Sequence, residues 1–288
     1  MRLVIISGRS GSGKSSALHV LEDLGFYCID NLPIGLLPAL VQETEHEEKL
    51  SRVAVSIDAR NLPHAFEQIH DVLHQLPSEE YQLDIVYLDA SPEVLIQRFS
   101  ATRRKHPLTT GNLSLAEAIE QEKQLLQPMA DLADLKLDTT QMSVHELRSQ
   151  IKLRVAEKKG ADIAILFHSF GFKHGVPVDA DFVFDVRSLP NPYWDPALRQ
   201  YTGLQQPIID FLKNEPPVKA MQGDISGFLR RWIPSFIEAN RSYLTIAIGC
   251  TGGQHRSVFL AEALAAEFRS QYPEVQVRHR ELPSSEGA

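Results

Sequence analysis

Cysteine is scarce in this chain, and positive charge is not in excess. Cys28 and Cys250 are the only cysteines among 288 residues, and they lack the paired spacing of a zinc site or a disulfide framework. The formal net charge is -8, which argues against a surface broadly adapted to nucleic acid, because neutralising phosphates takes clustered Lys and Arg. We therefore expect free thiols in a reducing cytosol and, at most, a local RNA site.

Long hydrophobic runs are also missing. No stretch reaches the roughly 20 apolar residues that a membrane-spanning helix needs, and Met1 leads directly into a short strand without the hydrophobic segment of a signal peptide. No internal repeat of fixed period is present. These absences predict a cytoplasmic protein with no membrane segment, and the length predicts two globular domains.

Short apolar runs alternate with helical periodicity along the whole chain, which predicts an α/β fold with buried parallel strands. The charged stretch Glu157–Gly160 predicts the boundary between a domain of residues 1–157 and a smaller one of residues 160–288. The predicted strands are Leu3–Ile6, Val53–Ile57, Ile85–Leu88, Ile163–His168, Phe182–Val186 and Leu244–Ile248. The predicted helices are Ser15–Leu24, Leu113–Leu126, Val144–Val155, Phe228–Ala239 and Val258–Phe268, and the Pro-rich stretch Leu189–Pro196 predicts a loop.

A phosphate-binding loop lies at the start of the chain. Residues 8–15 satisfy G-x-x-x-x-G-K-S between a predicted strand and a predicted helix, which is the context that supports the motif. Backbone N–H groups and the helix N-terminus attract phosphates, a lysine supplies a full positive charge, and a serine hydroxyl ligates Mg²⁺. The loop therefore predicts binding of ATP, GTP or both through Gly8, Arg9, Ser10, Gly11, Ser12, Gly13, Lys14 and Ser15.

Three carboxylates stand at the ends of strands. Asp58 and Asp89 each follow an apolar run and are candidates to hold the metal beside the phosphate loop, although a helix N-cap is the alternative role. Our prediction for the Mg²⁺ site is Ser15 with Asp89. Asp30 lies where small P-loop kinases commonly face their acceptor substrate.

Basic residues follow the third predicted strand. Arg98, Arg103 and Arg104 resemble the lid of small P-loop kinases, where arginines clamp phosphates during transfer. The alternative is a solvated basic end of a helix.

A second glycine loop, Gly249–Ser257, connects a predicted strand to a helix in the second half. Its Cys250, Thr251, Gly252 and Arg256 predict a cradle for a phosphate monoester. The Cys-x₅-Arg spacing also fits cysteine-dependent phosphatases, and a tight structural turn is the third alternative. Four polar residues of the same half are predicted to line this pocket: Lys173, His174, Asp185 and Arg187.

Taken together, these motifs closely resemble the RNase adapter protein RapZ family of bacteria over nearly the whole chain. The motifs are Gly8–Ser15, Gly25–Pro33, Asp58–Asn61, Ser169–Gly175, Pro190–Pro196 and Gly249–Ser257. The resemblance implies a kinase-like P-loop domain that binds ATP at the first loop and GTP through Asp58, Ala59, Arg60 and Asn61. It implies a second domain that binds glucosamine-6-phosphate, with Tyr193 standing where enterobacterial relatives have a histidine of that site.

The resemblance also implies partners. Enterobacterial relatives present a small regulatory RNA to an endoribonuclease, which controls glucosamine-6-phosphate synthase, and they communicate with a two-component system and form tetramers. Their Lys/Arg-rich tail contacts RNA. This chain retains only Arg278, His279 and Arg280 in a far less basic ending, so its electrostatic attraction for RNA is smaller.

Two classes of function follow. The leading hypothesis is a regulatory protein that couples nucleotide binding to metabolite sensing and is at most a slow nucleoside triphosphatase. The alternative is a small-molecule or nucleotide kinase. A kinase has no need of a second phosphate loop about 240 residues downstream, so the second loop favours the sensor.

Overall fold

The computed structural model describes residues 1–45, 51–76, 82–102, 105–109, 113–156, 163–239 and 241–282. The chain divides into two compact units, Met1–Lys158 and Lys159–Ala288. The charged stretch predicted as the boundary lies outside the described residues, and so do Arg103 and Arg104. Among the described residues, no helix is long and apolar enough to cross a membrane.

In its described part, the first unit contains a parallel sheet of five strands in the order β2-β3-β1-β4-β5. Its strands are β1 (Arg2–Gly8), β2 (Tyr27–Ile29), β3 (Arg52–Ile57), β4 (Gln82–Asp89) and β5 (Leu135–Asp138). Its helices are α1 (Lys14–Asp23), α2 (Leu37–Glu45), α3 (Pro63–Glu67), α4 (Ile69–His74), α5 (Pro92–Thr102), α6 (Leu115–Leu125), α7 (Gln127–Leu132) and α8 (Val144–Ile151).

Hydrophobic burial places β1 at the centre of this sheet. Its residues 3–6 are fully buried, and β3 and β4 flank it on either side, so that three strands end around the first glycine loop. Chain order reverses about β1, with β2 and β3 on one side and β4 and β5 on the other. Ligands of open α/β sheets bind at such a switch point, beyond the carboxyl ends of the strands.

Capping explains where two predicted helices begin. Ser114 and Glu117 form a capping box ahead of α6, and Ser143 and Glu146 form another ahead of α8. The predicted helix to Val155 is a regular α-helix only as far as Ile151, after which residues 152–156 form a π-helix.

The second unit, over its described residues, has a parallel sheet of four strands in the order β7-β8-β6-β9. Its strands are β6 (Ala164–Gly171), β7 (Phe182–Asp185), β8 (Tyr243–Cys250) and β9 (Val275–His279). Its helices are α9 (Gln206–Lys213), α10 (Pro216–Glu238) and α11 (Arg256–Phe268), and short 3₁₀ turns cover Phe172–His174 and Pro192–Trp194.

Helix α10 begins twelve residues earlier than the sequence predicts, at Pro216 instead of Phe228. Gly223 and Gly227 weaken the helical pattern in that stretch because glycine costs about 1 kcal/mol in a helix interior. Packing of Val218 and Ile225 into the core offsets this cost, and Pro216 suits the first turn of a helix.

Strand register brings three predicted site segments together at the carboxyl ends of β6, β7 and β8. Gly171 at the end of β6 pairs with Cys250 at the end of β8, and Asp185 at the end of β7 pairs with Gly249. Residues that follow these strands are therefore neighbours around the second glycine loop.

Candidate functional site

The first glycine loop needs its glycines. Gly8 and Gly13 have φ values of 138° and 111°, in the region that L side chains avoid. An added Cβ at Gly8 would collide with the carbonyl of Leu88, and one at Gly13 with the side chain of Leu147. The loop can therefore curl only because these two positions carry no side chain.

Lys14 lies inside this loop with 8% of its surface exposed. Its Nζ donates to the carbonyl oxygens of Gly8 at 2.7 Å and Arg9 at 3.2 Å. Burial lowers the pKa of the ammonium, and the Asp58 and Glu122 carboxylates act in the opposite direction. The cation is thus positioned by the backbone of the loop itself.

The carboxylate of Asp89 is paired with an arginine of the loop. Arg9 Nε donates to Asp89 Oδ1 at 2.6 Å, and Arg9 Nη2 donates to the carbonyl of Ala90 at 2.5 Å. The Ala90 N–H also donates to Asp89 Oδ1 at 2.8 Å, so that both contacts use the same oxygen of this carboxylate. Asp58, which follows the other strand beside β1, is the charged group with the largest electrostatic effect on Lys14.

Oxygen donors that suit Mg²⁺ are present around the loop. Mg²⁺ prefers hard oxygen ligands and commonly takes one or two from the protein and the rest from water and phosphates. Ser15 is exposed at the start of α1, and Asp58 is the nearby strand-end carboxylate. No cluster of three or more His, Cys, Asp or Glu side chains able to hold a metal is found within the described ranges. Ser15 and a single strand-end carboxylate are donors that fit a metal sharing its other ligands with phosphates and water.

A fully buried carboxylate holds the beginning of the loop. Glu122 of α6 accepts from the Ser10 N–H at 2.9 Å and from Ser10 Oγ at 2.7 Å, and its Oε2 lies 3.0 Å from His106 Nε2. The His106 and Glu122 side chains are both 0% exposed. A buried charge of this kind persists only when its hydrogen bonds are satisfied, so this cluster fixes the conformation of the loop.

Arg98 contacts the loop backbone. Its guanidinium donates to the Gly11 carbonyl at 3.0 Å and to Oγ1 and the carbonyl of Thr139 at 2.9 and 2.6 Å. Thr139 Oγ1 in turn donates to the Ser12 carbonyl. Of the predicted lid arginines, the one that the structure describes therefore supports the loop.

The segment Asp58–Asn61 is largely occupied by its own contacts. Arg60 binds the Asp58 carboxylate with nitrogen to oxygen distances of 2.7–3.0 Å and approaches Asp30 at 3.7 Å. Asn61 accepts from the Ile34 N–H and donates to the Leu32 carbonyl. A cleft of about 520 Å³ opens beside Arg60, between residues 31–36 and 60–72. Its wall includes Asn31, whose buried Oδ1 has no partner among the described residues.

The second glycine loop surrounds a buried thiol. Cys250 is 2% exposed, and its Sγ lies 3.2 Å from both Ser257 Oγ and the Gly253 N–H. Burial acts to raise the pKa of this thiol, but hydrogen bonds from Ser257 and Gly253 and the charge of Arg256 outweigh it, so the pKa is lowered. The loop therefore favours negative charge at its centre.

One edge of the Arg256 guanidinium binds backbone carbonyls, and the other edge faces the glycine loop. Nη1 donates to the carbonyls of Arg187 and Leu189 at 2.8 and 2.9 Å. On the opposite edge, Nη2 makes a long 3.4 Å contact with Thr251 Oγ1. The buried Nε has no partner within the part of the chain that the structure describes. Cys250 and Thr251 lie along the Nε and Nη2 edge, and an arginine edge of this kind can bind phosphate oxygens in pairs.

Most residues predicted for the second site lie around this loop. The Lys173 N–H donates to the Thr251 carbonyl at 3.3 Å, which joins the Lys173–His174 turn to the loop. Arg187 is bound to Asp185 through the paired N–H groups of its guanidinium and lies 4.1 Å over the Phe172 ring. Tyr193 is 47% exposed on the Pro192–Trp194 turn, where the Arg199 guanidinium covers its ring at 4.6 Å.

The residues predicted to contact RNA belong to an edge strand and the turn after it. Arg278 lies on β9 opposite His168. His279 is held between Ser169 Oγ at 2.8 Å and Glu262 Oε1 at 3.1 Å, and Arg280 pairs with Glu281 at 2.8 Å. His279 and Arg280 therefore act within the fold.

Sequence reasoning missed several residues of both sites. Ser257 directly follows the Cys-x₅-Arg pattern, and this position could have indicated its contact with the Cys250 thiol. His255, within the loop, is 8% exposed; burial lowers its pKa, while the carbonyls of Tyr201 and Arg199 act in the opposite direction. Glu122 lies 112 residues from Ser10 in the sequence, and no local pattern predicts that contact.

Fold and loops together define the chain as a P-loop protein of two parallel-sheet α/β domains. Residues 1–159 match the family described as the RapZ-like N-terminal domain, and residues 163–283 match the RapZ C-terminal domain. The chain belongs to the RapZ family.

Relatives with curated names match nearly the whole chain. A nucleotide-binding protein of Marinobacter nauticus is 59% identical over 286 residues, covering 98% of this chain and 97% of its own. A nucleotide-binding protein of Pseudomonas putida is 57% identical over 284 residues, covering 98% and 100%.

Among solved structures, a sugar kinase from Janibacter sp. is similar at 20% identity with a TM-score of 0.36, over 53% of this chain and 92% of its own. Shikimate kinase from Acinetobacter baumannii is similar at 17% identity with the same TM-score, over 55% and 95%.

Proposed function

We propose that the protein is a regulatory nucleotide-binding protein that senses glucosamine-6-phosphate, with at most slow nucleoside triphosphatase activity. The first loop binds the phosphates of ATP or GTP. The complete motif, its strand and helix context, the buried Lys14 and the nucleotide-binding names of the relatives support this assignment.

Mg²⁺ accompanies the nucleotide in this proposal. Ser15 and a strand-end carboxylate, Asp89 or Asp58, would hold it; each carboxylate is paired with an arginine, Asp89 with Arg9 and Asp58 with Arg60. When bound there, the ion would supply positive charge that neutralises the phosphates.

The cleft beside Arg60 supports the second nucleotide contact that the family implies. Asp58, Ala59, Arg60 and Asn61 are the residues assigned to GTP by resemblance. Of these, Arg60 lines the cleft with a half-exposed guanidinium, while Asp58 orients it and Asn61 shapes the wall. We expect the Arg60 side chain, and not Ala59, to contact the nucleotide.

The observation that carries the sensor is the Nε and Nη2 edge of Arg256, buried within a glycine loop and without a partner at Nε among the described residues. A phosphate monoester satisfies that edge. Gly252, Thr251 and Cys250 belong to the same loop, and Lys173, His174, Asp185, Arg187 and Tyr193 are proposed to contact the sugar. Simple binding is favoured over thiol catalysis because Cys250 is 2% exposed and Asp185 is paired with Arg187.

Family membership alone supports the remaining proposals. These are a small regulatory RNA and an endoribonuclease as partners, a homotetramer, and a cytoplasmic location. Inward contacts of His279 and Arg280 weaken the case that Arg278, His279 and Arg280 form the RNA surface.

Calorimetry of the full chain tests the proposed sensor. Titration with glucosamine-6-phosphate, glucosamine and inorganic phosphate, beside a phosphate-release assay, should show binding of the phosphate-bearing ligands without hydrolysis. Equal affinity for glucosamine would contradict a phosphate cradle, and phosphate release that depends on Cys250 would establish a phosphatase instead.

A kinase is the second candidate because the exposed Asp30 lies 3.7 Å from Arg60, which lines the cleft. Incubation of the protein with Mg-ATP and a metabolite pool should yield only ADP and free phosphate, with no phosphorylated metabolite. A stoichiometric new phosphometabolite would reverse the ranking.

A further inference from the structure

The turn after β9 lies against the second glycine loop. The Arg280 N–H donates to the Ser169 carbonyl at 3.1 Å, which extends the contact between β9 and β6 beyond the last paired residue of β9. The next two side chains, Arg280 and Glu281, are 14% and 9% exposed. Both therefore turn toward the protein.

Glu281 contacts two glycines of the site. Its Oε2 accepts from the Gly171 N–H at 3.0 Å. Its carboxylate is so close to Gly253 that a Cβ at that position would collide with it. Gly253 has a φ of 73° and donates its own N–H to Cys250 Sγ. The carboxylate thus packs on the part of the loop that contacts the thiol.

Arg280 contacts the turn that carries Lys173 and His174. Its Nη2 donates to the carbonyls of Gly171 at 3.1 Å and Gly175 at 2.7 Å, on either side of that turn. Its Nε donates to Glu281 Oε1 at 2.8 Å. Its guanidinium also lies 5.4 Å over the Phe170 ring. One ion pair therefore joins the turn to the glycine loop.

This geometry differs from that of an arginine that binds nucleic acid. An RNA contact needs an exposed guanidinium whose charge is available to a phosphate. The Arg280 charge is instead neutralised by Glu281, and its donors are directed to backbone carbonyls of the fold.

We propose that Arg280 and Glu281 are positioning residues of the sugar-phosphate site. Together they hold the Lys173–His174 turn and the Gly252–Gly253 segment at a fixed separation, so that both segments meet the same ligand. The inference rests on the proposed function for its ligand, whereas the positioning of the loop itself can be measured without one.

Two readouts on the full chain test this role. In Arg280→Ala, affinity for glucosamine-6-phosphate should fall at least about fivefold, since two hydrogen bonds to the turn are lost. Arg280→Lys should lose less, because an ammonium can still donate to a carbonyl. Cys250 should also react faster with iodoacetamide in Arg280→Ala without ligand, as followed by mass spectrometry with Cys28 as the internal reference.

Arg269→Ala is the matched control, because Arg269 is exposed just beyond α11 and its loss changes the net charge equally. It should leave both readouts unchanged, and ATP affinity should be the same in all three variants. Unchanged ligand affinity and unchanged Cys250 reactivity in Arg280→Ala would overturn the proposal, and so would an equal loss in Arg269→Ala. If the wild-type chain does not bind the sugar phosphate, the proposed ligand is wrong; faster Cys250 alkylation in Arg280→Ala would then still support the positioning role.

Discussion

Both glycine loops form a site for an anion, but the cationic side chain that each contributes is different. In both, a parallel strand delivers a loop to a helix N-terminus, where N–H groups attract an anion. The first loop adds Lys14, whose Nζ is bound by carbonyls of the loop itself. The second adds Arg256, which is held by carbonyls of the neighbouring segment 187–189 and keeps its other edge for the loop.

This difference matches two kinds of anion. A lysine carries a compact charge on a flexible stem, which suits the several phosphates of a nucleoside triphosphate. The exposed Ser15 beside it adds a hydroxyl that can ligate a metal. An arginine offers two parallel donors that fit a single phosphate group, and the second loop has the Cys250 thiol at its base. The comparison predicts that the loops have separate ligands.

The largest expected effect is that of removing the arginine. Arg256→Ala should lower the affinity for glucosamine-6-phosphate about a hundredfold, because two charge-assisted hydrogen bonds contribute roughly 1.5 kcal/mol or more each. Calorimetry of the full chain measures this. ATP affinity in the same variant is the control, and a matching loss there would mean that the loops do not act separately.

Removing the lysine should be the next largest effect. Lys14→Ala should weaken ATP and GTP binding at least tenfold, because the positive charge at the centre of the loop is lost. Fluorescent nucleotide displacement checks this, with glucosamine-6-phosphate binding as the reference. Unchanged triphosphate affinity would contradict the role of the first loop.

A smaller effect is expected from the carboxylate behind the first loop. Glu122→Gln should lower ATP affinity about fivefold, because an amide cannot accept from both Ser10 donors and from His106 as a carboxylate does. Ser10→Ala, which removes only the hydroxyl, should lose less. Nucleotide titration with a parallel thermal melt separates the two, and a lower melting temperature with full ATP affinity would assign Glu122 to stability alone.

The smallest effect concerns the thiol. Cys250→Ser should change the affinity for glucosamine-6-phosphate less than about threefold, because the hydroxyl keeps the contacts to Ser257 and Gly253.

In the wild type, the thiolate of Cys250 should form at lower pH than that of Cys28, since burial and Glu22 raise the pKa of Cys28 to about 11. The pH dependence of alkylation at each cysteine measures this order; the reverse order would contradict the electrostatics of the second loop.

Local patterns predicted both loops, because each motif and its flanking strand and helix are contiguous in sequence. The short strand β5 was not predicted, since the four residues Leu135–Asp138 give too little periodicity. Contacts between distant residues were also beyond reach. Asp89 meets Arg9 across 80 positions, and no local pattern in the sequence predicts this pairing.

The assignment of the C-terminal basic residues shows the same limit of sequence analysis, which does not reveal distant contacts. Composition and resemblance assigned Arg280 to RNA because only its charge was visible in the sequence. The fold shows its partner, Glu281, and the two carbonyls that it binds. A charged residue can therefore be assigned to a surface or to a site only when its partners are known.

The central claim is that one chain holds two separate anion sites of different kinds. Glucosamine-6-phosphate titrated into full-length protein already saturated with Mg-ATP tests it most directly, with bound ATP counted after rapid filtration. We predict one sugar phosphate bound per chain while ATP stays fully bound. Stoichiometric release of ATP as the sugar phosphate binds would contradict the account.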